Sequence, residues 1–155
     1  MSRIHVEVER AIEARPEDVY AFLADYSDKH STILTSNFVD YTVEKGGIGA
    51  GTVIHYRLQA GRREREYHMQ IEEPSKGRVL LERDTGSSLV NTWMVSQGAN
   101  KRQSKVSVTT EWEGSSGMGG FFERTFAPMG LRSIYTQMLD RLAQSLTGSS
   151  AAPAG

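Results

Sequence analysis

TVIHYRLQAGRREREYHMQIEE, residues 52–73, is the stretch whose reading decides the fold. On either side of Gly61 and Arg62 the apolar residues recur at every second position: Ile54, Tyr56 and Leu58 before, Tyr67, Met69 and Ile71 after. His55, Arg57, His68 and Gln70 take the alternate positions. Two period-two runs joined by a short polar tip make an antiparallel hairpin with one dry face and one wet face. The tip itself, RREREY from Arg62, reads as a solvated charged edge in preference to an anion site.

Working outward, the same alternation defines six strands, approximately Phe38 to Glu44, Thr52 to Ala60, Arg65 to Glu73, Arg78 to Asp84, Ser88 to Val95 and Lys105 to Glu113. Gly46 to Gly51, Pro74 to Gly77, Gly86 and Gly98 to Arg102 separate them, and such short connections imply antiparallel neighbours. A further strand precedes them, because Ile4, Val6 and Val8 alternate with His5, Glu7 and Glu9. ARPEDVYAFLADY then reads as a short amphipathic helix, with Pro16 and the acids Glu17 and Asp18 in its first turn and Val19, Phe22, Leu23 and Tyr26 on one stripe. Ser27 to Thr35 offers another helical turn or two. From Gly119 the period becomes helical again, through Phe122, Phe126, Leu131, Tyr135, Met138, Leu142 and Leu146. Pro128 interrupts that helix, a disturbance of about 3 kcal/mol in a continuous one, so a kink is expected. Residues 1–147 are expected to form one domain, and GSSAAPAG, 148–155, a disordered tail.

Composition bounds the partners. With 18 basic and 19 acidic side chains the formal charge is -1, so no global field draws the chain to nucleic acid or anionic lipid. The absence of cysteine excludes disulfides and thiolate chemistry and suits a cytoplasmic location. No apolar run approaches the roughly 20 residues that span a bilayer, so no stable membrane insertion is expected.

A sheet of seven strands with one dry face needs a cover, and one long helix with two short ones is a narrow one. A strongly twisted sheet curling round that helix leaves space that side chains alone do not fill, which points to an internal cavity. Parity assigns Val79 and Leu81, then Leu89, Trp93 and Val95, then Val106, Val108 and Trp112 to the dry face.

The element order resembles the helix-grip fold of the START and birch-pollen-allergen (SRPBCC) superfamily. ARPEDVYAFLADY, GGIGAGTVIHYRL, TTEWEG and GMGGFFERTFAPMGLR look like its polyketide cyclase and dehydrase-like branch, and the likeness covers roughly residues 3–146. The resemblance implies an α+β fold, a seven-stranded curved antiparallel sheet wrapped round a long C-terminal helix with two short helices after the first strand. It implies a small hydrophobic ligand, such as a lipid, polyketide or isoprenoid, held in the cavity, as relatives bind lipids, polyketides, quinones or hormones. It carries no catalytic motif that transfers residue by residue and implies no cofactor, and the chain is expected to act as a monomer or homodimer.

The cavity candidates are Tyr56, Tyr67, Met69, Leu81, Arg83, Asn91, Trp93, Trp112, Phe122, Phe126, Tyr135 and Met138. Asn91 lies on the apolar parity between Leu89 and Trp93, where an unpaired buried amide is costly, so it meets either neighbouring polar groups or a ligand. Arg83 shares parity with Val79 and Leu81 and either reaches solvent at the strand end or holds an acidic ligand group. The tyrosines offer a ring and a hydroxyl for a carbonyl or phenol. GGIGAG is followed by a strand instead of a helix, so it is a turn and not a dinucleotide loop. The four histidines show no metal spacing: His5, His55 and His68 fall on wet parity and His30 in a polar segment, so solvated positions are expected and no metal. GSSGMGG, Gly114 to Gly120, with the Pro128 kink, is expected to form a mobile lid at the mouth. The functional alternatives are a cyclase or dehydratase working in the same cavity, and a co-chaperone-like or regulatory interaction module, which would show a large exposed apolar patch.

Overall fold

The computed structural model describes residues 3–60, 62–113 and 127–147, of which 3, 4 and 127–129 enter as backbone only. Strand β1 (Arg3–Ile12) leads into helix α1 (Pro16–Ala24) and a single 3-10 turn (His30–Ile33). Then come β2 (Phe38–Lys45), β3 (Val53–Ala60), β4 (Arg63–Ser75), β5 (Val79–Asp84), β6 (Val90–Gln97), β7 (Ser104–Glu113) and helix α2 (Ala127–Thr147). Pro16 opens α1 with Glu17 and Asp18 beside it, where a missing amide donor costs nothing and negative charge meets the helix dipole.

The seven strands form one antiparallel sheet in the order β1-β7-β6-β5-β4-β3-β2. The meander runs from β2 at one edge to β7, and β1 adds alongside β7 in a register that pairs Val6 with Thr110 and Val8 with Val108. The segment with α1 and the 3-10 turn therefore carries the chain from one edge to the other. Its core-facing residues Val19, Phe22, Leu23, Tyr26 and Ile33 are buried. The inner face of α2 buries Leu131, Ile134, Tyr135, Met138, Leu139 and Leu142 at the helical spacing expected. Arg132 donates to the Glu7 carbonyl, and Arg10 bonds Asp140, tying α2 to β1. Arg141 donates to the Leu34 carbonyl, tying α2 to the segment after the 3-10 turn.

The structure corrects the parity of β5. Leu80, Glu82 and Asp84 point inward, and Leu81 and Arg83 lie on the outer side. Val79, Leu80 and Leu81 are all apolar, so alternation is uninformative there. Register decides: β6 pairs Leu80 with Trp93 and Glu82 with Asn91, and β4 pairs Ile71 with Glu82. Directly paired residues share a face of the sheet. Leu81 and Arg83 are therefore not cavity residues, and Arg83 instead makes an ion pair with Glu72 on the exposed face, at 3.2 Å.

GGIGAG is a turn, with Gly46, Gly47, Gly49 and Gly51 all at positive φ. Backbone bonds from Tyr26 N–H to the Gly47 carbonyl and from Gly49 N–H to the Ala24 carbonyl stitch it to the end of α1. Phe122, Phe126, the Gly114 to Gly120 lid, the expected course of the helix upstream of Ala127 and the 148–155 tail lie outside the described residues.

Candidate functional site

Between the concave face of the sheet and α2 lies a cavity of about 30 Å³. It is walled by Phe38, Tyr56, Leu58 and Tyr67 from β2–β4, by Leu89, Asn91, Trp93 and Val108 from the β6–β7 side, and by Leu131, Tyr135 and Met138 of α2. That is room for two or three waters at about 10–15 Å³ each, so in this state side chains fill most of the interior. Six of the sequence candidates meet here: Tyr56, Tyr67, Asn91, Trp93, Tyr135 and Met138. Met69 and Trp112 are buried in the surrounding core without lining the cavity.

A chain of buried polar groups reaches this wall. Asn91 Nδ2 donates to Glu82 Oε1 at 3.0 Å, and the Tyr26 hydroxyl donates to Glu82 Oε2 at 2.7 Å. Thr110 Oγ1 donates its one proton to Asn91 Oδ1 at 2.7 Å. The Tyr135 hydroxyl then gives its one proton to Thr110 Oγ1 or, at 3.4 Å, to Asn91 Oδ1. The Tyr26 hydroxyl and one Asn91 amide proton thus converge on the Glu82 carboxyl, which is 5% exposed, while the Thr110 and Tyr135 protons are spent within the Asn91–Thr110–Tyr135 cluster. Such a network restrains all its members because no one of them can turn without orphaning a buried neighbour.

His30 closes the inner end. It is 2% exposed, which overturns the expectation of a solvated histidine; Ser31 and Thr32 beside it mark the outer surface of a turn that buries the imidazole together with Ile33. Its Nδ1 lies 2.8 Å from the Leu23 carbonyl, which can only accept, so Nδ1 carries the proton. Nε2 faces Glu82 Oε2 at 3.6 Å. The ring stacks on Tyr26 with centroids 4.3 Å apart and meets Trp93 edge-on at 5.5 Å. Burial lowers its pKa below histidine's ordinary 6.5, outweighing the opposing pull of Glu82 and the bond to Leu23. Burial likewise raises the phenols of Tyr26, Tyr56 and Tyr135, so all remain neutral donors. The arrangement leaves the second Asn91 amide proton as a donor and the Tyr135 oxygen as an acceptor for a ligand hydroxyl or carbonyl in an otherwise mainly apolar space, backed by a buried carboxyl.

Sequence reading found Asn91, Thr110's strand and Tyr135 but missed Glu82 and His30. The signal was the β5–β6 hairpin: with Asn91 facing inward, its direct partner Glu82 must face inward too. A larger open groove of about 670 Å³ lies outside, between α1, Ile48 of the glycine turn, Glu73 and Leu146. Its floor holds the bond from Tyr20 to Glu73 at 2.6 Å, but charges of both signs line it and it does not join the network.

This curved sheet gripping a long helix over a polar-ended core is the architecture of ligand-binding SRPBCC proteins. The model of the family described as "Polyketide cyclase / dehydrase and lipid transport" matches residues 3–147, and the chain belongs to that family. Among solved structures, the KanY protein is 36% identical, superposes with a TM-score of 0.83, and the match covers 96% of this chain and 100% of that one. The Zhui aromatase/cyclase from Streptomyces sp. R1128 is 15% identical at TM-score 0.60, with 92% and 87% covered. A norcoclaurine synthase from Thalictrum is 14% identical at TM-score 0.68, with 94% and 95% covered. At that identity the last two speak for the shared helix-grip fold alone. No curated protein matches the sequence.

Proposed function

We propose that the protein binds a small, mainly apolar ligand of the lipid, polyketide or isoprenoid kind between the sheet and α2, with one ligand oxygen hydrogen-bonded at the Asn91–Tyr135 end of the polar chain. The observation that carries this reading is that the buried polar chain reaches the cavity wall in the two lining residues Asn91 and Tyr135, with one Asn91 amide proton and the Tyr135 oxygen left for a ligand. Since the present volume holds only water, a ligand of this size requires the wall to part. Phe38 on edge strand β2 and Leu131 and Met138 on α2 are the side chains such an opening would displace. Residues 1–147 would act as one ligand-binding unit, as a monomer or homodimer, with a small molecule as partner.

Native mass spectrometry of the gently purified protein, followed by titration with dodecanoic acid, a polycyclic phenol and a prenyl alcohol, tests the reading. Trp93 fluorescence reports occupancy, because its indole lines the cavity. At least one probe should bind, and Asn91→Leu or Tyr135→Phe should weaken an oxygen-bearing probe about 5- to 10-fold, the worth of one hydrogen bond. An empty protein that takes up none of the three would refute it.

A cyclase or dehydratase working in the same space is the second reading. It is favoured by the Glu82–His30 pair, a proton acceptor and a base joined to the cavity hydroxyl through Asn91 and Thr110. Its mark would be turnover lost in Glu82→Gln with probe affinity kept. The interaction-module reading has less support, since among the described residues only Ile48 and Met94 are large exposed apolar side chains.

A further inference from the structure

We propose that Glu44, His55 and His68 form a site for a borderline divalent metal ion such as Zn²⁺ on the outer face of the sheet, on the side away from the cavity. His55 on β3 and His68 on β4 are direct cross-strand partners. Their rings stack with centroids 4.3 Å apart and planes at 20°. Glu44 comes from edge strand β2, where neighbouring Thr42 pairs with His55, and its carboxylate lies 4.0 Å from His68 Nε2. One ligand atom from each of the three lies within 4.8 Å of the other two.

A tetrahedral ion with bonds of ~2.0–2.1 Å holds its ligands about 3.3 Å apart. Closing on the ion therefore takes movements of roughly 1 Å, within reach of rotation about the χ angles. His68 and Glu44 are partly exposed and free to make them, at 45% and 42% of their side-chain surface. The backbone beneath is already fixed: His68 N–H donates to Asp84 Oδ1 at 3.1 Å, and its carbonyl accepts from Thr85 at 3.0 Å.

A second observation points the same way. His55 Nε2 is sealed from solvent and has no hydrogen-bond partner among the described residues. The carboxylate facing it, Glu66 Oε2, stands 3.9 Å away, beyond hydrogen-bond range. Coordination would satisfy that nitrogen, with Glu66 or water completing the sphere. The cation nearest along β3, Arg57, is taken up by Asp40 and Glu64. Two imidazoles with a carboxylate suit zinc, copper or nickel, whereas magnesium and calcium favour all-oxygen sets. Sequence spacing hid the trio, because the histidines are brought together by lying equidistant from the hairpin tip.

Calorimetric titration of the full chain with Zn²⁺ alone, alongside thermal melts, decides the matter. The expected result is one ion per chain and a melting temperature raised by several degrees at saturation, reversed by EDTA. Both effects should vanish in His55→Gln and His68→Gln, whose circular dichroism would show that the sheet is intact. Glu44→Gln should weaken binding about 10-fold or more, and His5→Ala, on the far strand β1, should leave it unchanged. No saturable heat with Zn²⁺, equal response to Mg²⁺, or binding that survives loss of both histidines would overturn the proposal.

Discussion

At the residue scale, His30 is the group whose charge state the fold has chosen. Its Nδ1–H is spent on the Leu23 carbonyl, and burial lowers its pKa, so the folded chain holds it neutral while the unfolded chain protonates it near 6.5. Below that pH the unfolded state binds the extra proton and gains. The contribution is therefore present in full above about pH 6.5 and is lost as pH falls toward the lowered folded value, by at most about 1.4 kcal/mol per pH unit. Urea melts from pH 7.5 down to 5 should show this loss, and His30→Phe should flatten it even if that variant is weaker throughout. An equal slope in both proteins would remove His30 from the explanation. Asn91 was legible in the sequence because a polar letter stood on an apolar parity, whereas Glu82 was hidden by the run Val79–Leu81, in which either face looks dry. What distinguishes the two faces is the partner strand, and that information is not local.

At the element scale, the turn between β2 and β3 shows how a connection can anchor its surroundings. Gly49 has φ +62°, and a Cβ there would stand 2.5 Å from Glu73 Oε1. That oxygen accepts the Ala50 N–H at 2.8 Å, and the other accepts the Tyr20 hydroxyl. Burial would raise the Glu73 pKa, but Tyr20, the Ala50 amide and Lys76 together hold it below the usual carboxylate range. Gly49→Ala should thus cost about 1–3 kcal/mol, from left-handed strain and displacement of Glu73 from both bonds. Thermal denaturation checks this, and a neutral substitution would mean that the turn relaxes freely. The elements themselves were readable from periodicity: each strand lies within a few residues of its expected place, and the stripe of α2 carries Leu131, Tyr135, Met138 and Leu142 as spaced. The arginine ties from α2 to β1 and Leu34 were not, since surface charges acquire partners only once the elements are docked.

At the scale of the whole molecule, the dry face and the topology followed from alternation and from the family resemblance, but the size of the interior did not. A pattern of apolar letters states which way side chains point, and the volume left between them depends on how Trp93, Tyr135 and Met138 interlock. The placement of β1 beside β7 has one more consequence. All other neighbours in the sheet are consecutive, whereas β1 must find a partner at the far end of the meander, with Arg3 opposite Glu113. Emerging from a ribosome, the first strand would wait unpaired until the last had been made, and in refolding this contact carries the heaviest loop-closure entropy in the chain. Substitutions at Val6 should therefore speed unfolding while leaving the folding rate nearly unchanged, and stopped-flow kinetics of Val6→Ala would reveal it. A large drop in folding rate would instead place that seam in the nucleus. The protein is a clasp fastened last, and its life as a nascent chain is governed by the distance between the two halves of the fastening.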